Sequence, residues 1–117
     1  MIFLCYSKCT TCRKAKAFLD EAGASYETRE IKLKNPTYDE LKKWLKISGR
    51  PVQNFFGTNS TLFKELGLKN KYWKMTDEEC LSLLATDGML VKRPILVGNG
   101  FVLVGFNIDE WSAVLAK

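Results

Sequence analysis

Short apolar runs and one amphipathic segment alternate at the start of the chain. Residues 2–6 form a short apolar run, which predicts a buried strand. Residues 10–23 place apolar side chains at helical spacing and end at a glycine, a pattern that predicts a helix. Residues 26–31 alternate and predict a second strand. Because strand–helix–strand units normally cross over with a right hand, we expect the two strands to be parallel.

The middle of the chain carries helix-start signals and no strand pattern. Thr37 and Thr76 are each followed three positions later by a glutamate, a spacing typical of the capping box at a helix start. Residues 60–66 predict another short helix, which a glycine ends. Together these segments predict a helical block over residues about 37–86.

The strand pattern returns near the end. Residues 95–97 and 101–104 are apolar and flank Gly98-Asn99-Gly100, which predicts a β-hairpin. Asn107 begins a last amphipathic segment, whose apolar face includes Trp111. The chain therefore ends with two antiparallel strands and a helix.

The order of these elements is βαβ, a helical insert, and then ββα. This order is that of an α/β thioredoxin-like fold, and it predicts a mixed four-stranded sheet. The chain has 117 residues, enough for one domain with its own core, so we expect a single domain over residues 1–117 with an insert at about 37–86. No apolar run approaches the ~18 residues of a membrane span, and no signal-peptide pattern opens the chain. We therefore expect a cytoplasmic protein with no membrane partner.

Charge and composition narrow the chemistry. The chain contains no histidine, which excludes Cys-His and Ser-His-Asp catalysis and histidine-ligated metal sites. The net charge of +5 favours anionic partners, although lysine-rich solvated surfaces explain most of it. Lysines and aromatic residues interleave at positions 69–74, a pattern also found in single-strand binders. We interpret this stretch as a solvated loop anchored by Trp73 and expect no direct contact with nucleic acid.

Two cysteines, Cys9 and Cys12, lie where the first strand passes into the first helix. Side chains three positions apart share one face of a helix, within reach of a disulfide. The unpaired amides of the helix start, together with Lys8 and Arg13, favour the thiolate form of Cys9. We therefore predict that Cys9 is a nucleophile and that Cys12, one turn further in, is a shielded resolving thiol.

A metal site is the main alternative use of a cysteine pair. Strong zinc signatures provide four ligands in two spaced pairs, and this chain has one pair and no histidine. The remaining cysteines, Cys5 and Cys80, lie in apolar segments and are predicted to be small core residues. No metal site is predicted, and a purely structural disulfide is disfavoured in a reducing compartment.

A second candidate feature is Arg93-Pro94, which opens the first strand of the hairpin. A proline at this place suits a cis bond beside another loop, and the guanidinium of Arg93 suits bidentate capture of an oxyanion or carboxylate. The alternative is a surface arginine ahead of a strand-edge proline. The residues alone leave both interpretations open.

Five segments that run in order along the chain share the pattern of one family. They are Cys9–Lys14, Asn35–Thr37, Phe63–Leu68, Arg93–Ile95 and Val104–Phe106. With this spacing the chain resembles the arsenate reductase (ArsC) and Spx family. The resemblance implies a thioredoxin-like fold with a helical insert, a cis Arg93–Pro94 bond, and an Arg93 side chain that faces the Cys9 loop.

The resemblance also implies roles for residues. In the glutaredoxin-dependent arsenate reductases the first cysteine attacks arsenate and glutathione resolves the adduct, which makes Cys9 the nucleophile and Arg93 an oxyanion-binding residue. The remaining candidates for substrate or anion binding are Lys8, Thr10, Thr11, Arg13 and Pro94. The implied substrate is a small anion or disulfide. Glutathione, glutaredoxin or thioredoxin is the implied electron donor, with no bound cofactor.

Departures from the family pattern separate two hypotheses. Gly57 and Gly105 stand where two further anion-binding arginines are expected, and each lost charge-assisted bond is worth on the order of 1.5–3 kcal/mol. The leading hypothesis is therefore a thiol-dependent oxidoreductase, arsenate reductase-like or acting on disulfides. The alternative is an Spx-like redox-sensing regulator that binds the RNA polymerase α subunit. Pro51 stands where that branch carries a glycine important for the contact, which counts against the same binding surface.

Overall fold

The computed structural model describes residues 1–116. This part of the chain contains four strands and five α-helices: β1 (Ile2–Cys5), α1 (Thr10–Glu21), β2 (Glu27–Glu30), α2 (Tyr38–Ser48), α3 (Thr61–Glu65), α4 (Asp77–Leu84), β3 (Ile95–Val97), β4 (Val102–Val104) and α5 (Ile108–Leu115). Short 3₁₀ turns lie at Val52–Phe55, Leu68–Asn70, Tyr72–Lys74 and Gly88–Leu90. No helix within residues 1–116 is long and apolar enough to cross a membrane.

The strands form one mixed sheet in the order β2-β1-β3-β4. Strand β1 pairs in parallel with β2, with Ile2 opposite Glu27, and antiparallel with β3, with Leu4 opposite Ile95. Strands β3 and β4 form the antiparallel hairpin. The predicted α/β thioredoxin-like fold, with its parallel βαβ half and antiparallel end, is confirmed.

Two hydrophobic cores lie on opposite faces of this sheet. Successive side chains of a strand point to opposite faces, so Phe3 and Leu4 belong to different cores. Phe3 packs with α1 and α5, where Trp111 is fully buried. Leu4 packs against the helical block between β2 and β3, which includes Trp44 of α2. The sheet is therefore covered on both faces.

Both predicted capping boxes are present. The Thr37 and Thr76 hydroxyls accept hydrogen bonds from the backbone N–H groups of Glu40 and Glu79, whose carboxylates bond back to the cap residues. Glu40 also accepts two hydrogen bonds from the Arg29 guanidinium, at 2.7 and 2.9 Å. These bonds, the Arg29 bonds foremost, hold the pKa of Glu40 down at about 2. One side chain thus caps α2 and ties it to β2.

The predicted anchor of the 69–74 loop is wrong. Trp73 is 61% exposed, and the residue that holds the loop is Tyr72. Its ring lies 5.7 Å from that of Phe56 and 5.2 Å from that of Phe63. A 3₁₀ turn has three residues per turn, so neighbouring aromatic residues within it point in different directions and only one of them can face the core.

Candidate active site

Cys9 lies between β1 and α1, at the N-cap of the helix. Its backbone N–H donates to the Tyr6 carbonyl at 2.9 Å, and its own carbonyl accepts from the Arg13 N–H at 3.1 Å. These bonds form a tight loop that places the partly buried Cys9 side chain at the helix terminus. Within the described residues, this side chain makes no capping hydrogen bond to the first turn. The amides of that turn therefore stay available to a thiolate or to a bound anion.

Cys12 lies one turn further along α1 and is only 3% exposed. Its sulfur accepts a hydrogen bond from the Tyr6 N–H at 3.4 Å. Burial is the main cause of the raised pKa of Cys12, and together with hydrogen bonding to the neighbouring Cys9 thiol it brings this pKa to about 12. Both thiols are free. The pair is thus asymmetric, with one accessible sulfur beside one that is shielded and protonated.

A third thiol, Cys5 at the end of β1, lies in the same core as this pair. It is 8% exposed, and burial, followed by the charges of Glu30 and Cys9, raises its pKa. The prediction that Cys5 and Cys80 are core residues is confirmed, and Cys80 is buried in the opposite core. The closeness of Cys5 to the thiol pair was not predicted. Among the described residues, no group of three or more histidine, cysteine, aspartate or glutamate side chains could hold a metal ion.

Cys9 opens into a cleft of about 270 Å³. Of the predicted site residues, Thr11 and Arg93 line the same cleft. Lys8, Thr10 and Arg13 are exposed and lie outside its lining, and Pro94 is buried. The other lining residues are Phe56, Gly57, Thr58, Asn59, Ser60, Lys92, Gly105 and Phe106.

Arg93 contributes a positive charge to the cleft that Cys9 lines. The Arg93–Pro94 bond is cis, as the resemblance implied. The guanidinium lies 5.3 Å from the centre of the Tyr6 ring, and its Nη1 lies 3.1 Å from the Met89 sulfur. Within residues 1–116 no carboxylate forms an ion pair with it. The aromatic face and the thioether orient the guanidinium and leave its charge available to an anion.

Gly57 and Gly105 also line the cleft, so both positions of the expected arginines face the thiol. The backbone at Gly105 has φ +74°, and a Cβ built there would lie 2.8 Å from Cε of Lys92. The Lys92 side chain therefore packs against the backbone of Gly105, in the space that a side chain at position 105 would occupy. Sequence reasoning missed Lys92, because this contact depends on how the segment before β3 lies beside the end of β4. The available signal was the glycine itself, which leaves room that a neighbour can fill.

The site is thus a thiol at a helix start that shares a small cleft with two cations, Lys92 and Arg93. The sequence matches the ArsC family over residues 4–114. The chain belongs to the ArsC family. The predicted resemblance is confirmed.

Relatives of this ArsC-family chain include both unassigned proteins and regulators. The uncharacterized protein YusI of Bacillus subtilis (strain 168) is 41% identical over 111 residues, covering 95% of this chain and 94% of YusI. The regulatory protein MgsR of the same strain is 34% identical, covering 94% of this chain and 86% of MgsR. The global transcriptional regulator Spx of Staphylococcus aureus is 33% identical, covering 87% of this chain and 76% of Spx.

Solved structures of ArsC-family proteins share the same architecture. An ArsC family related protein from Bacteroides fragilis is 50% identical with a TM-score of 0.94, covering 97% of this chain and 95% of its own. A protein described as "a possible arsenate reductase" from Streptococcus mutans UA159 is 38% identical with a TM-score of 0.86, covering 95% and 96% of the two chains. The family fold therefore extends over nearly the whole chain.

Proposed function

We propose that this ArsC-family protein is a thiol–disulfide oxidoreductase that uses Cys9 as its nucleophile and Cys12 as its resolving thiol. The observation that carries the proposal is the asymmetric thiol pair. Cys9 opens into a cationic cleft at a helix start, and its neighbour Cys12 is 3% exposed. A protein with two such free thiols suits a reducing compartment, and we place the reaction in the cytoplasm.

The first step is attack on a substrate disulfide. The Cys9 thiolate forms a bond to one sulfur of RS–SR′, the sulfur–sulfur bond of the substrate breaks, and R′S⁻ leaves and takes a proton from water. The product is a mixed disulfide between Cys9 and RS. The amides of the first turn of α1, which the Cys9 side chain does not cap, lie at the position where this sulfur reacts.

The second step releases the remaining half of the substrate. Cys12 gives its proton to water and attacks the Cys9 sulfur. The Cys9–Cys12 bond forms, the bond between Cys9 and RS breaks, and RS⁻ leaves and takes a proton from water. Once Cys9 is in the mixed disulfide, its thiol no longer raises the pKa of Cys12, so deprotonation becomes easier. The dithiol has then given two electrons to the substrate. Glutathione, glutaredoxin or thioredoxin supplies the electrons that restore it, and glutathione can also replace Cys12 in the second step.

The test is the rate of disulfide reduction with glutathione as the electron donor. We expect Cys9→Ser to fall to the rate of the uncatalysed exchange, because no other accessible thiol lies in the cleft among the described residues. Cys12→Ser should keep the first step and lose the internal second step. Cys80→Ala is the matched control, since Cys80 is buried in the opposite core. Full activity of Cys9→Ser would overturn the assignment of the nucleophile.

Arsenate reduction is the family activity that this cleft supports least. The relative from Streptococcus mutans is described as "a possible arsenate reductase". In this chain, Gly57 and Gly105 offer no side-chain donor to a tetrahedral oxyanion. We expect no turnover of arsenate with glutathione and glutaredoxin, and sustained turnover would contradict this expectation.

The second candidate function is redox-controlled regulation. The observation that favours it is the similarity to MgsR and Spx, at 34% and 33% identity. Under this hypothesis, the formation of a Cys9–Cys12 disulfide controls whether the protein binds the C-terminal domain of the RNA polymerase α subunit. Pro51 is exposed at the start of the turn Val52–Phe55 and has no backbone N–H to offer a partner. Co-purification with that domain, with the protein oxidised and reduced, tests the candidate, and absence of binding in both states removes it.

A further inference from the structure

The Lys92 side chain occupies a defined place in the cleft. The backbone of Lys92 is held in place, because its N–H donates to the Phe55 carbonyl at 2.8 Å. Its aliphatic stem crosses Gly105, whose own N–H is held by the Pro94 carbonyl at 2.8 Å. The ammonium group would lie 3.8 Å from a Cβ at position 105. The hydrogen bond to Phe55 and the contact with Gly105 therefore position the Lys92 side chain, although the residue as a whole is exposed.

The charged side chains that line the cleft around this ammonium group are all positive. Neither Lys92 nor its neighbour Arg93 forms an ion pair within residues 1–116. The lining of the cleft contains no aspartate or glutamate. Glu65 and Asp87 line the adjoining cleft with Arg93 and form no ion pair with it. The Asp87 carboxylate accepts a hydrogen bond from the Met89 N–H at 2.8 Å. An anion that enters beside Cys9 thus meets two uncompensated cations.

The number of cationic donors in the cleft favours a carboxylate over a tetrahedral oxyanion. A tetrahedral oxyanion has more oxygens to satisfy than a carboxylate, which has two, and both guanidinium and ammonium groups donate to carboxylates. Here one guanidinium and one ammonium group are present, and Gly57 adds no side chain. The cleft of about 270 Å³ lies just below the usual range of ligand pockets, about 300–1,000 Å³, and this size suits one half of a small disulfide.

We propose that Lys92 is a specificity-determining residue that selects small disulfides with a carboxylate near the sulfur–sulfur bond. The proposal rests on the proposed function, since it names the substrate class of the same thiol. Lys92 binds the carboxylate while Cys9 attacks the nearer sulfur. Gly105 makes this possible, because a side chain at that position would displace the lysine stem. Lysine at 92 and glycine at 105 therefore act as one unit.

The experiment compares two disulfides that differ only in charge, 3,3′-dithiodipropionic acid and its bis-amide. The second-order rate constant of the reduced protein is measured with each, and the acid-to-amide ratio cancels the intrinsic reactivity of Cys9. We expect Lys92→Gln to lower this ratio roughly 3- to 5-fold, because Lys92 is exposed and solvent screens its pairing with a carboxylate. Lys92→Arg should keep most of the preference. Lys46→Gln, which makes the same change in net charge on α2 and away from the cleft, should leave the ratio unchanged.

A second pair of reagents separates failure of this inference from failure of the proposed function. Iodoacetate and iodoacetamide alkylate Cys9 with no redox step, and they also differ by one carboxylate. If neither disulfide is reduced, the proposed function fails, and the iodoacetate-to-iodoacetamide ratio still tests Lys92. Equal ratios for Lys92→Gln and Lys46→Gln with both reagent pairs would overturn the role of Lys92.

Discussion

The two walls of the cleft are built in different ways. The thiol wall, residues 9–12, is one contiguous loop and helix start, and its geometry follows from local bonds such as that between Cys9 and Tyr6. The cation wall, Lys92 and Arg93 with Gly105, comes from the ends of two strands and depends on the pairing of the sheet. In the proposed function, the thiol wall carries out the reaction, whereas the cation wall selects the substrate. Substitutions in the thiol wall and in the cation wall should therefore have different measurable effects.

The largest expected effect is the difference between the two thiols of the thiol wall. The pKa of Cys12 is raised to about 12, mainly by burial. Compared with a free cysteine of pKa about 8.5, its thiolate population at neutral pH is then on the order of 10³-fold smaller. We expect iodoacetamide to label Cys9 and to leave Cys12 almost unlabelled in the folded protein, as measured by peptide mass spectrometry. Unfolding in urea is the control, and equal labelling of both in the folded state would contradict the asymmetry.

The next effect concerns the support of the cation wall. Trp111 is fully buried, and its Nε1–H donates to the Gly105 carbonyl at 3.0 Å. Trp111→Phe removes this donor and leaves a cavity, so the free energy of unfolding should fall by about 2–3 kcal/mol. Trp73→Phe is the matched control, because Trp73 is 61% exposed and should change stability by less than about 0.5 kcal/mol. Urea unfolding measures both, and equal losses would contradict this account.

A smaller effect concerns the contact between the sheet and the helical block. The Arg29–Glu40 ion pair ties α2 of the helical block to β2, which pairs with the strand that precedes the thiol wall. The pKa of Glu40 is about 2 in the folded protein against an ordinary 4.5, so its stabilisation is present above pH 4.5 and is lost as pH falls towards 2. With a discount for solvent screening, since its side chain is 34% exposed, we expect a loss of about 1–2 kcal/mol.

The measurement is urea unfolding at a series of pH values from neutral to acidic. Glu40→Gln should show a shallower loss of stability in the acidic range than the unsubstituted protein. Glu65→Gln, an exposed carboxylate on α3, is the control and should keep the original slope. An unchanged slope in Glu40→Gln would remove this pair as a source of the pH dependence.

The smallest effect tests Gly105 itself. Gly105→Ala places a Cβ at a backbone φ of +74° and costs about 1 kcal/mol of stability. Gly100→Ala has a similar cost at φ +85°, but it meets open space. Only Gly105→Ala should also lower the preference of Cys9 for iodoacetate, because only there is the Lys92 stem displaced. Equal preferences in the two variants would mean that the lysine does not need the glycine.

Features with local causes could be predicted from the sequence. The strand ahead of Cys9, the helix behind it and the capping boxes of Thr37 and Thr76 depend on residues a few positions apart, and all are present. The parallel pairing of β1 and β2 followed from the handedness of crossover connections. The cis Arg93–Pro94 bond came from the resemblance to a family.

Features that depend on long-range packing could not be predicted. The contact of Lys92 with Gly105 and the placement of Arg93 over Tyr6 require the sheet to be assembled. The choice between Tyr72 and Trp73 as a loop anchor depends on which ring meets the Phe56 and Phe63 rings. The sequence pattern contains both aromatic residues, but not the direction in which each one points.

The most direct test of the account is the identity of the trapped intermediate. Reduced Cys12→Ser is exposed to glutathione disulfide, quenched with acid and mapped by peptide mass spectrometry. We predict a single glutathione adduct on Cys9, since the attack remains possible and the internal resolving thiol is gone. An adduct on Cys5 or Cys80, or no adduct while Cys9 remains a free thiol, would contradict the claim that Cys9 is the attacking nucleophile.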